Sequence, residues 1–362
     1  MTRNTSRWCL VALAGGCAVA MGTAAACSSV DPIVYTDRVP YEWEVWEREQ
    51  GLLVDDAGAD AADGSSDAAP TAAPAATPAL PRLSERTVFP PDHFWNRDVS
   101  GLPTDPQGAK WLDSMGLDTP LHADWSAPDL SDGKPGFGIP YQYVRGNARK
   151  LPVAFEYADE SDPGPYPIPD NPMIERGPDR HILMIDTDNW LLYELWQAKL
   201  DGNKWKAGCG AIFDLKTNKQ RPTGWTSADA AGLAIFPGLV RADEVLEKKA
   251  INHALRFTAK VTQRAYVYPA SHFASDKKDP KLPPMGMWVR LKSSYNIDGF
   301  SPNVQVILKA LKRYGMILAD NGSDFFISGA PDPRWLGDEM KQISRIKGRD
   351  LEVVKTGDPV TK

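Results

Sequence analysis

The chain has 362 residues, of which 24% are charged, and its formal net charge is −6. This mild acidity argues against nucleic acid and anionic lipid headgroups as partners, because both are bound by clusters of excess Lys and Arg. The length permits two domains, but a strongly biased segment near the start predicts that not all of the chain folds.

Residues 1–27 have the composition of an export signal. Arg3 and Arg7 precede the apolar stretch "WCLVALAGGCAVAMG", and the small residues of "TAAAC" end at Cys27. The apolar stretch is too short for a comfortable membrane span, and polar sequence follows it. The pattern predicts the signal peptide of a bacterial lipoprotein, in which Cys27 carries the lipid after cleavage.

The cleavage site leaves two alternatives open. Ala24 occupies the position at which lipoprotein signals usually have Leu, so ordinary cleavage after Ala26 without a lipid is one alternative. Cleavage before Cys17, in "LAGGC", is the other, although it would leave apolar sequence at the new end. Because Ser28 rather than Asp follows Cys27, we expect an exported protein anchored by lipid at the outer membrane or the cell surface.

Cys209 is the only cysteine left in the folded part, because Cys9 and Cys17 leave with the signal and Cys27 carries lipid. The folded part therefore has no internal disulfide, although the compartment is oxidising. "KAGCGAIFDL" places Cys209 between glycines at the start of a strand. This setting favours a small buried residue, and a thiol nucleophile is the alternative.

Three segments follow the signal. Residues 28–54 form a mature N-terminal segment in which "YEWEVWEREQGLL" fits a short amphipathic helix or an arm on the main domain. The next stretch, "DDAGADAADGSSDAAPTAAPAATPALP", has a single large apolar residue, so it cannot bury enough surface to offset the entropy of ordering. We predict a disordered tether over residues 55–85, stiffened by proline, and a globular domain over residues 86–358.

Short apolar or alternating runs predict the strands of this domain. "HILMID", "WLLYELW" and "CGAIFDL" are separated by turn residues such as "TDN" and "DGNK", which predicts an antiparallel meander. "HALRFTAK" and "RAYVYPA" predict a further strand pair, and "GMWVRLK" predicts another strand.

"SPNVQVILKALKRYG" is the strongest helix signal in the chain. Ser301 occupies a cap position, Pro302 lies in the first turn, and Gly315 is placed to end the helix. The apolar residues at helical spacing are Val304, Ile307, Leu308 and Leu311.

"MILAD" and "DFFISG" flank the Asn-Gly turn in "NGS", which predicts a hairpin. Strands outnumber helices, and the periodicity of alternating strand–helix units is largely missing, which disfavours a doubly wound sheet. We predict the α+β class: a single domain on an antiparallel sheet closed into a barrel or sandwich, with few helices and long loops.

No familiar catalytic motif is present. The chain lacks GxSxG, a Gly-rich phosphate loop, HExxH and paired CxxC, so we expect no cofactor. His272, Asp276 and Asp279 could act as metal ligands, but "SDKKDPK" equally fits a solvated charge run and no second His has ligand spacing. We therefore predict no metal site.

Three histidines lie at the ends of predicted strands: His181, His253 and His272. If those strands are neighbours, the imidazoles gather at one rim of the sheet, where sites are commonly built. The alternative for each is a hydrogen-bonded cap at the end of a strand.

Carboxylates supply the second component of a candidate site. Asp229 lies beside Trp225 in the loop "GWTSADAAGL", and Asp320 ends a strand next to Asn321, where it could equally organise the turn. Glu194 lies in an apolar strand, where it either faces solvent or needs a partner. Two carboxylates across a cleft suit glycosidic bond hydrolysis, whereas His, Tyr and Arg suit β-elimination from a uronic acid.

Aromatic residues are abundant, with 12 Trp and 11 Tyr, and many lie in polar or proline-rich loops. Flat aromatic faces among Asp, Asn and Arg are typical of surfaces that bind carbohydrate. The alternative is that these rings fill the core of a loop-rich fold.

The globular part resembles a family of secreted bacterial proteins of uncharacterised function. The matching signatures are "YADESDPGPYPIP", "DRHILMID", "RPTGWTSADAAGLAIFPGLVR", "HALRFT", "PPMGMWVRLK" and "ADNGSDFFISGAPDPRW". The resemblance covers essentially the whole globular domain and implies a single exported domain, without assigning an activity.

We therefore expect an exported carbohydrate-active enzyme, a glycoside hydrolase or polysaccharide lyase, with a polysaccharide as partner and no membrane contact beyond the lipid anchor. The expected catalytic residues are His253, His272, Asp229 and Asp320. The expected substrate-binding residues are Arg256, Tyr268, Trp225, Trp335 and His181. The alternative is a non-catalytic glycan-binding or cell-envelope module with the same aromatic loops.

Overall fold

The computed structural model describes residues 87–128 and 136–361, which belong to one compact unit, Pro81–Lys362. The predictions for residues 1–27, 28–54 and 55–85, including Cys27, lie outside the described residues. No helix in the described ranges is long and apolar enough to cross a membrane.

Strands dominate the described part of the chain, which contains three α-helices. The helices are α1 (Gly108–Met115), α2 (Pro302–Arg313) and α3 (Gly337–Met340). The strands are β1 (His122–Asp124), β2 (Tyr141–Val144), β3 (Val153–Phe155), β4 (Ile182–Asp186), β5 (Leu191–Trp196), β6 (Lys199–Asp201), β7 (Lys204–Ala207), β8 (Cys209–Asp214), β9 (Leu255–Ala259), β10 (Trp288–Leu291), β11 (Met316–Asn321), β12 (Phe326–Ser328) and β13 (Leu351–Val354). Short 3-10 helices are Phe94–Asn96, Ala158–Glu160, Phe236–Gly238, Lys341–Arg345 and Gly348–Asp350, and Asp243–Lys248 is a π-helix.

The described strands form three sheets. The six-stranded sheet has the order β1-β12-β9-β11-β10-β13, the four-stranded sheet β2-β4-β5-β8, and the three-stranded sheet β3-β7-β6. The pairs β1/β12, β9/β11, β2/β4 and β3/β7 are parallel, and the other pairs are antiparallel. The α+β prediction with few helices is confirmed. The barrel and the purely antiparallel sheet are wrong, because each described sheet is open at two edges and contains a parallel pair.

The four-stranded sheet contains the predicted meander. β4 pairs with β5 and β5 pairs with β8, both antiparallel. The turn from β4 to β5 is organised by Asp186, whose carboxylate accepts the N–H groups of Asp188 and Asn189. β6 and β7 are inserted between β5 and β8 and join the three-stranded sheet instead.

Both faces of the four-stranded sheet are buried. Along β4, Leu183 and Ile185 join the apolar cluster that contains the core of the six-stranded sheet. Ile182 and Met184 join a second cluster, with Trp205 of the three-stranded sheet. The sheets are therefore stacked in sandwich-like layers, which explains why the β4 sequence is a continuous apolar run rather than an alternating one.

The predicted helix is confirmed as α2. Its buried residues include the predicted apolar stripe, Val304, Ile307, Leu308 and Leu311. Ser301 is at the N-cap position, but its side chain makes no capping hydrogen bond. Gly315 follows the helix with φ of +68°, where an added Cβ would collide with the Val289 carbonyl oxygen, so glycine is required there.

The predicted hairpin around Asn321 and Gly322 is wrong. β11 and β12 are not neighbours, because β9 lies between them and pairs with both. The connection crosses the end of β9, where Gly322 N–H donates to the Ala259 carbonyl and Phe325 N–H to the Thr258 carbonyl. An Asn-Gly turn is a local signal that does not determine which strands pair. Here the connection passes over β9 before β12 begins.

The predicted pairing of "HALRFTAK" with "RAYVYPA" is also wrong. β9 forms as expected, but its partners are β11 and β12. The second segment forms no strand, and Tyr266 makes only isolated bridges to Met285 and Val360.

Candidate active site

Four adjacent strands of the six-stranded sheet place polar side chains on one face. Asp124 in β1 pairs in register with Ser328 in β12. Arg256 in β9 donates from Nη1 to Ser328 Oγ, and its Nη2 lies 3.5 Å from Oδ2 of Asp320 in β11. Because paired residues on neighbouring strands point to the same side, these groups form a continuous polar row.

A bulge in β11 is what brings Asp320 into this row. The register between β11 and β9 shifts between Leu318 and Asp320, so that Asp320 pairs with Thr258. Thr258 is two residues from Arg256 and faces the same side of the sheet. With an unshifted register, Ala319 would occupy this position and Asp320 would face the opposite side.

Arg256 is fixed by a buried carboxylate from a loop. Asp229 accepts from Arg256 Nε at 2.7 Å and from Nη2 at 2.8 Å, and neither residue is more than 4% exposed. Such a bidentate pair holds the guanidinium in one plane. Arg256 was expected to position substrate, but its burial and its protein partners make it a support for the carboxylates around it.

The pKa of Asp320 is raised far enough to favour the protonated carboxyl at neutral pH. Burial and the charge of Asp229 raise its pKa to about 8, against the opposite effect of Arg256. Its side chain is nevertheless 24% exposed, so its proton can reach a ligand. Asp320 Oδ1 also accepts the N–H of Asn321 at 2.7 Å, so the same residue organises the turn.

A second carboxylate near Arg256 is paired with a histidine. Glu175 Oε2 lies 2.5 Å from Nδ1 of His181, whose Nε2 lies 3.1 Å from the Ala228 carbonyl oxygen. Burial opposes the charge on His181, but Glu175 raises its pKa to about 9, and both ring nitrogens face acceptors. Burial likewise opposes the charge on Glu175, but His181 lowers its pKa, so the carboxylate is ionised. His181 is 2% exposed and supports Glu175 rather than contacting substrate.

Asp124 and Glu175 belong to this cluster, and sequence reasoning missed both. Burial raises the pKa of Asp124, while His122 and Arg256 act in the opposite direction. Asp124 ends a three-residue strand, and Glu175 lies in an irregular segment outside any helix or strand. The available signal was "ERGPDRH", an acidic residue shortly before a histidine that begins a buried strand.

The loop that carries Asp229 is held by buried polar groups. Cys209 Sγ donates to the Ser227 carbonyl at 2.6 Å, and Ser227 Oγ accepts the Asp229 N–H at 2.9 Å. Burial raises the pKa of Cys209, which is 2% exposed. The prediction of a small buried residue is confirmed, and the thiol serves the loop backbone.

Glu194 is a fully buried acidic group that contacts the backbone following this loop. It is 0% exposed, and its carboxyl accepts the N–H groups of Ile235 and Phe236 at 3.0 Å. Burial raises its pKa to about 7; these hydrogen bonds oppose the shift, and the Asp229 charge adds to it. The sequence left two possibilities for Glu194, exposure to solvent or a buried partner. The second is confirmed, and the partners are the backbone N–H groups of Ile235 and Phe236.

His272 lies beside the Asp229 loop. Its Nδ1 is 2.9 Å from the Ala230 carbonyl oxygen, and a carbonyl only accepts, so Nδ1 carries a proton. Its Nε2 lies 3.9 Å from Oε2 of Glu160, and the side chain is 18% exposed. Its hydrogen bond goes to the loop backbone rather than to Asp229 or Asp320, so it is a rim residue.

His253 has a different set of partners. Its Nε2 contacts Glu244 at 2.8 Å and its Nδ1 contacts the Ala254 carbonyl at 2.8 Å, and the residue is 6% exposed. The expectation that His253 joins Asp229 and Asp320 is therefore not met. His253 lies two residues before the start of β9, and its ring is engaged by Glu244 of the π-helix Asp243–Lys248 instead.

The three aromatic residues expected to bind substrate differ in exposure. Trp335 is 3% exposed and packs against Trp125 with ring centroids 5.8 Å apart, so it belongs to the core. Trp225 is partly exposed and stacks over Arg221 at 5.4 Å, and Tyr268 is 43% exposed. Only Trp225 and Tyr268 have surface for a ligand.

No group of three or more His, Cys, Asp or Glu side chains in the described ranges is arranged to hold a metal ion. Asp276, one of the residues weighed as a ligand, lies 3.5 Å from Nη1 of Arg264. The candidate site is therefore defined by its carboxyl groups and Arg256.

Comparison with known proteins returns no match: no protein-family model, no curated protein and no solved structure is similar to this chain. The resemblance to secreted bacterial proteins stays a prediction, and the function has to be argued from the geometry of the site.

Proposed function

We propose that the protein is an exported carbohydrate-active enzyme, a glycoside hydrolase in which Asp320 is the general acid. The proposal rests on Asp320, a partly exposed carboxyl 3.5 Å from the Arg256 guanidinium whose pKa is raised to about 8 by burial and by the charge of Asp229. Hydrolysis of a glycosidic bond requires an acid of this kind to protonate the leaving oxygen.

Glu175 is the best candidate for the second carboxylate, as base or nucleophile. Its pKa is lowered in the presence of His181, whereas burial raises that of Asp124, the other carboxyl in the row. A pair of carboxyl groups with opposite shifts suits the division of labour between acid and base. His181 then acts as the positioning residue for Glu175 through the 2.5 Å contact.

Hydrolysis is better supported than elimination. A lyase needs a cation that can neutralise the carboxylate of a uronic acid. Arg256 is 4% exposed, and its N–H groups already serve Asp229 and Ser328. Arg256 is therefore not available to neutralise a uronate. The neighbouring carboxylates would also repel a polyanionic substrate.

Two further features support a polysaccharide substrate: partly exposed residues beside the site, and the predicted lipid anchor with its tether. His272, Trp225 and Tyr268 are partly exposed and suit contacts to a sugar, as a polysaccharide partner requires. Lipidation of Cys27 and the tether over residues 55–85 would hold the enzyme at the outer membrane or cell surface within reach of such a polymer.

The test is to incubate the purified full-length chain with a panel of glycans and to measure new reducing ends and unsaturated uronate absorbance. We expect reducing ends only, and a loss of about 10²–10⁴-fold in rate for Asp320→Asn. The matched control is Asp324→Asn, in the connection that follows β11, where the carboxylate accepts the Lys260 N–H.

Two results would overturn the proposal. Unsaturated products would establish a lyase. Glycan binding without cleavage, unchanged by Asp320→Asn, would establish the alternative of a non-catalytic binding or cell-envelope module.

A further inference from the structure

A second buried charge cluster surrounds Glu244. Its Oε2 accepts from Arg241 Nη2 at 2.9 Å and contacts His253 Nε2 at 2.8 Å. Burial opposes the charge on Glu244, but Arg241 and His253 lower its pKa to about 2. The contacts of this cluster are separate from those of Asp229 and Asp320, so it is a feature of its own.

The backbone around the cluster is unusual. Glu244 lies in the π-helix Asp243–Lys248, which ends at Lys249 in the left-handed region with φ of +56°. π-helical turns are rare and frequently occur at functional sites. Arg241 precedes this turn and stacks over the ring of Phe236 at 4.9 Å.

Two buried side chains in this cluster have N–H groups without an acceptor. Among the described residues, no hydrogen-bond partner reaches Trp95 Nε1 or Arg241 Nη1 and Nε, and both residues are 1% exposed. Arg241 Nε lies 3.6 Å from Asp243 Oδ1, a buried acceptor that is also without a hydrogen-bond partner among the described residues. Buried donors are almost always paired, so these N–H groups point to a ligand that accepts hydrogen bonds.

Trp95, Arg241, Glu244 and His253 line one cavity. Its volume is about 10 Å³, and a single water-sized atom needs roughly 10–15 Å³. The lining also includes Lys248, whose ammonium adds positive charge to that of Arg241. Glu244 is the acidic residue in the lining, and its charge is engaged by Arg241 and His253.

We propose that this cavity binds a monatomic anion of the halide type between the Trp95 indole N–H and the Arg241 guanidinium. A cavity of this volume has room for a ligand of one non-hydrogen atom, and the unpaired N–H groups of Trp95 and Arg241 favour one that accepts hydrogen bonds. The site does not depend on the proposed hydrolase, because it shares no residue with the Asp320 and Arg256 row.

The test is anomalous diffraction from crystals of the full chain soaked in sodium bromide. We expect a bromide peak within hydrogen-bond distance of Trp95 Nε1 and Arg241 Nη1. An ordered water with no anomalous signal, or bromide only at surface lysines, would overturn the proposal. This measurement needs no variant.

Thermal stability in solution provides a second test of the anion site. At constant ionic strength, with sodium gluconate as the balancing salt, we expect the melting temperature to rise saturably with bromide. Trp95→Phe should weaken the response about tenfold, the equivalent of one hydrogen bond to a charged group. Trp335→Phe is the matched control, because that indole N–H donates to the Ala330 carbonyl in the core. An identical response in both variants would contradict the site.

Discussion

Asp320 Oδ2 lies 3.5 Å from Nη2 of Arg256, and the same guanidinium is already paired with Asp229 through Nε and Nη2. One buried cation therefore serves two carboxyl groups. Because Asp229 offsets the charge of Arg256, burial dominates at Asp320 and its pKa rises to about 8 rather than falling. This relationship turns a carboxyl into an acid that holds its proton at neutral pH.

The pH dependence of activity should report this proton. We expect kcat/KM on a cleaved glycan to fall as pH rises through about 8, because only protonated Asp320 can donate to the leaving oxygen. Asp320→Asn should remove this limb together with most of the rate. A wild-type profile that stays flat from pH 7 to well above 8 would contradict the assignment.

The charge on His181 should depend on Glu175. NMR titration of the imidazole should give a pKa of about 9 in the wild type, since Glu175 outweighs the effect of burial. In Glu175→Gln the pKa should fall, because burial then opposes the charge on His181 with only Asp179 left to raise the pKa. Equal His181 titrations in both proteins would refute the pairing.

Local sequence signals were sufficient for part of the fold. The helix α2 and the order β4, β5 and β8 follow from periodicity and turn residues between adjacent segments. The partners of β9 could not be obtained this way, because they depend on which distant strand arrives beside it. The Asn-Gly signal at Asn321 and Gly322 was real but indicated a connection over β9 rather than a hairpin.

The candidate site was predictable in the same uneven way. Arg256 and Asp320 were recognisable as polar residues within or at the end of apolar strands, and Asp229 as a carboxylate in a loop beside Trp225. The bulge between Leu318 and Asp320 decides which face of the sheet carries Asp320, and a one-residue irregularity leaves no periodic trace in sequence. Glu175 lies outside regular structure, so no pattern connects it to His181.

Lipid attachment at Cys27 is tested by fractionation. If Cys27 carries the lipid as we propose, Cys27→Ala should move the protein from the membrane to the soluble fraction after detergent phase separation. Cys17→Ala is the matched control within the same signal and should leave partitioning unchanged. Release by Cys17→Ala alone would place the lipid at the other candidate cysteine.

Substitution of a core tryptophan and of a partly exposed one should have different effects on stability and on glycan binding. Trp335→Ala should lower the free energy of unfolding by about 3–5 kcal/mol, because it removes a buried indole packed on Trp125. Trp225→Ala should cost only about 1 kcal/mol, chiefly its contact with Arg221, but should weaken glycan binding. Denaturant unfolding and a binding titration on both variants check this. A similar loss of stability in the two would mean that Trp225 is also a core residue.

Glu194 should make stability depend on pH. Its pKa is about 7 in the folded chain against an ordinary 4.5, so the folded state holds more protons between these values. Stability should therefore fall as pH rises from 4.5 through 7, by about 3 kcal/mol from this group. In Glu194→Gln the amide oxygen can still accept from Ile235 and Phe236, and this part of the slope should disappear. Denaturant unfolding at pH 5 and pH 8 measures it, with the exposed Glu156→Gln as control. If the free energy of unfolding changed with pH equally in wild type and Glu194→Gln, Glu194 would have the same pKa in the folded and unfolded states. Burial would then not raise its pKa.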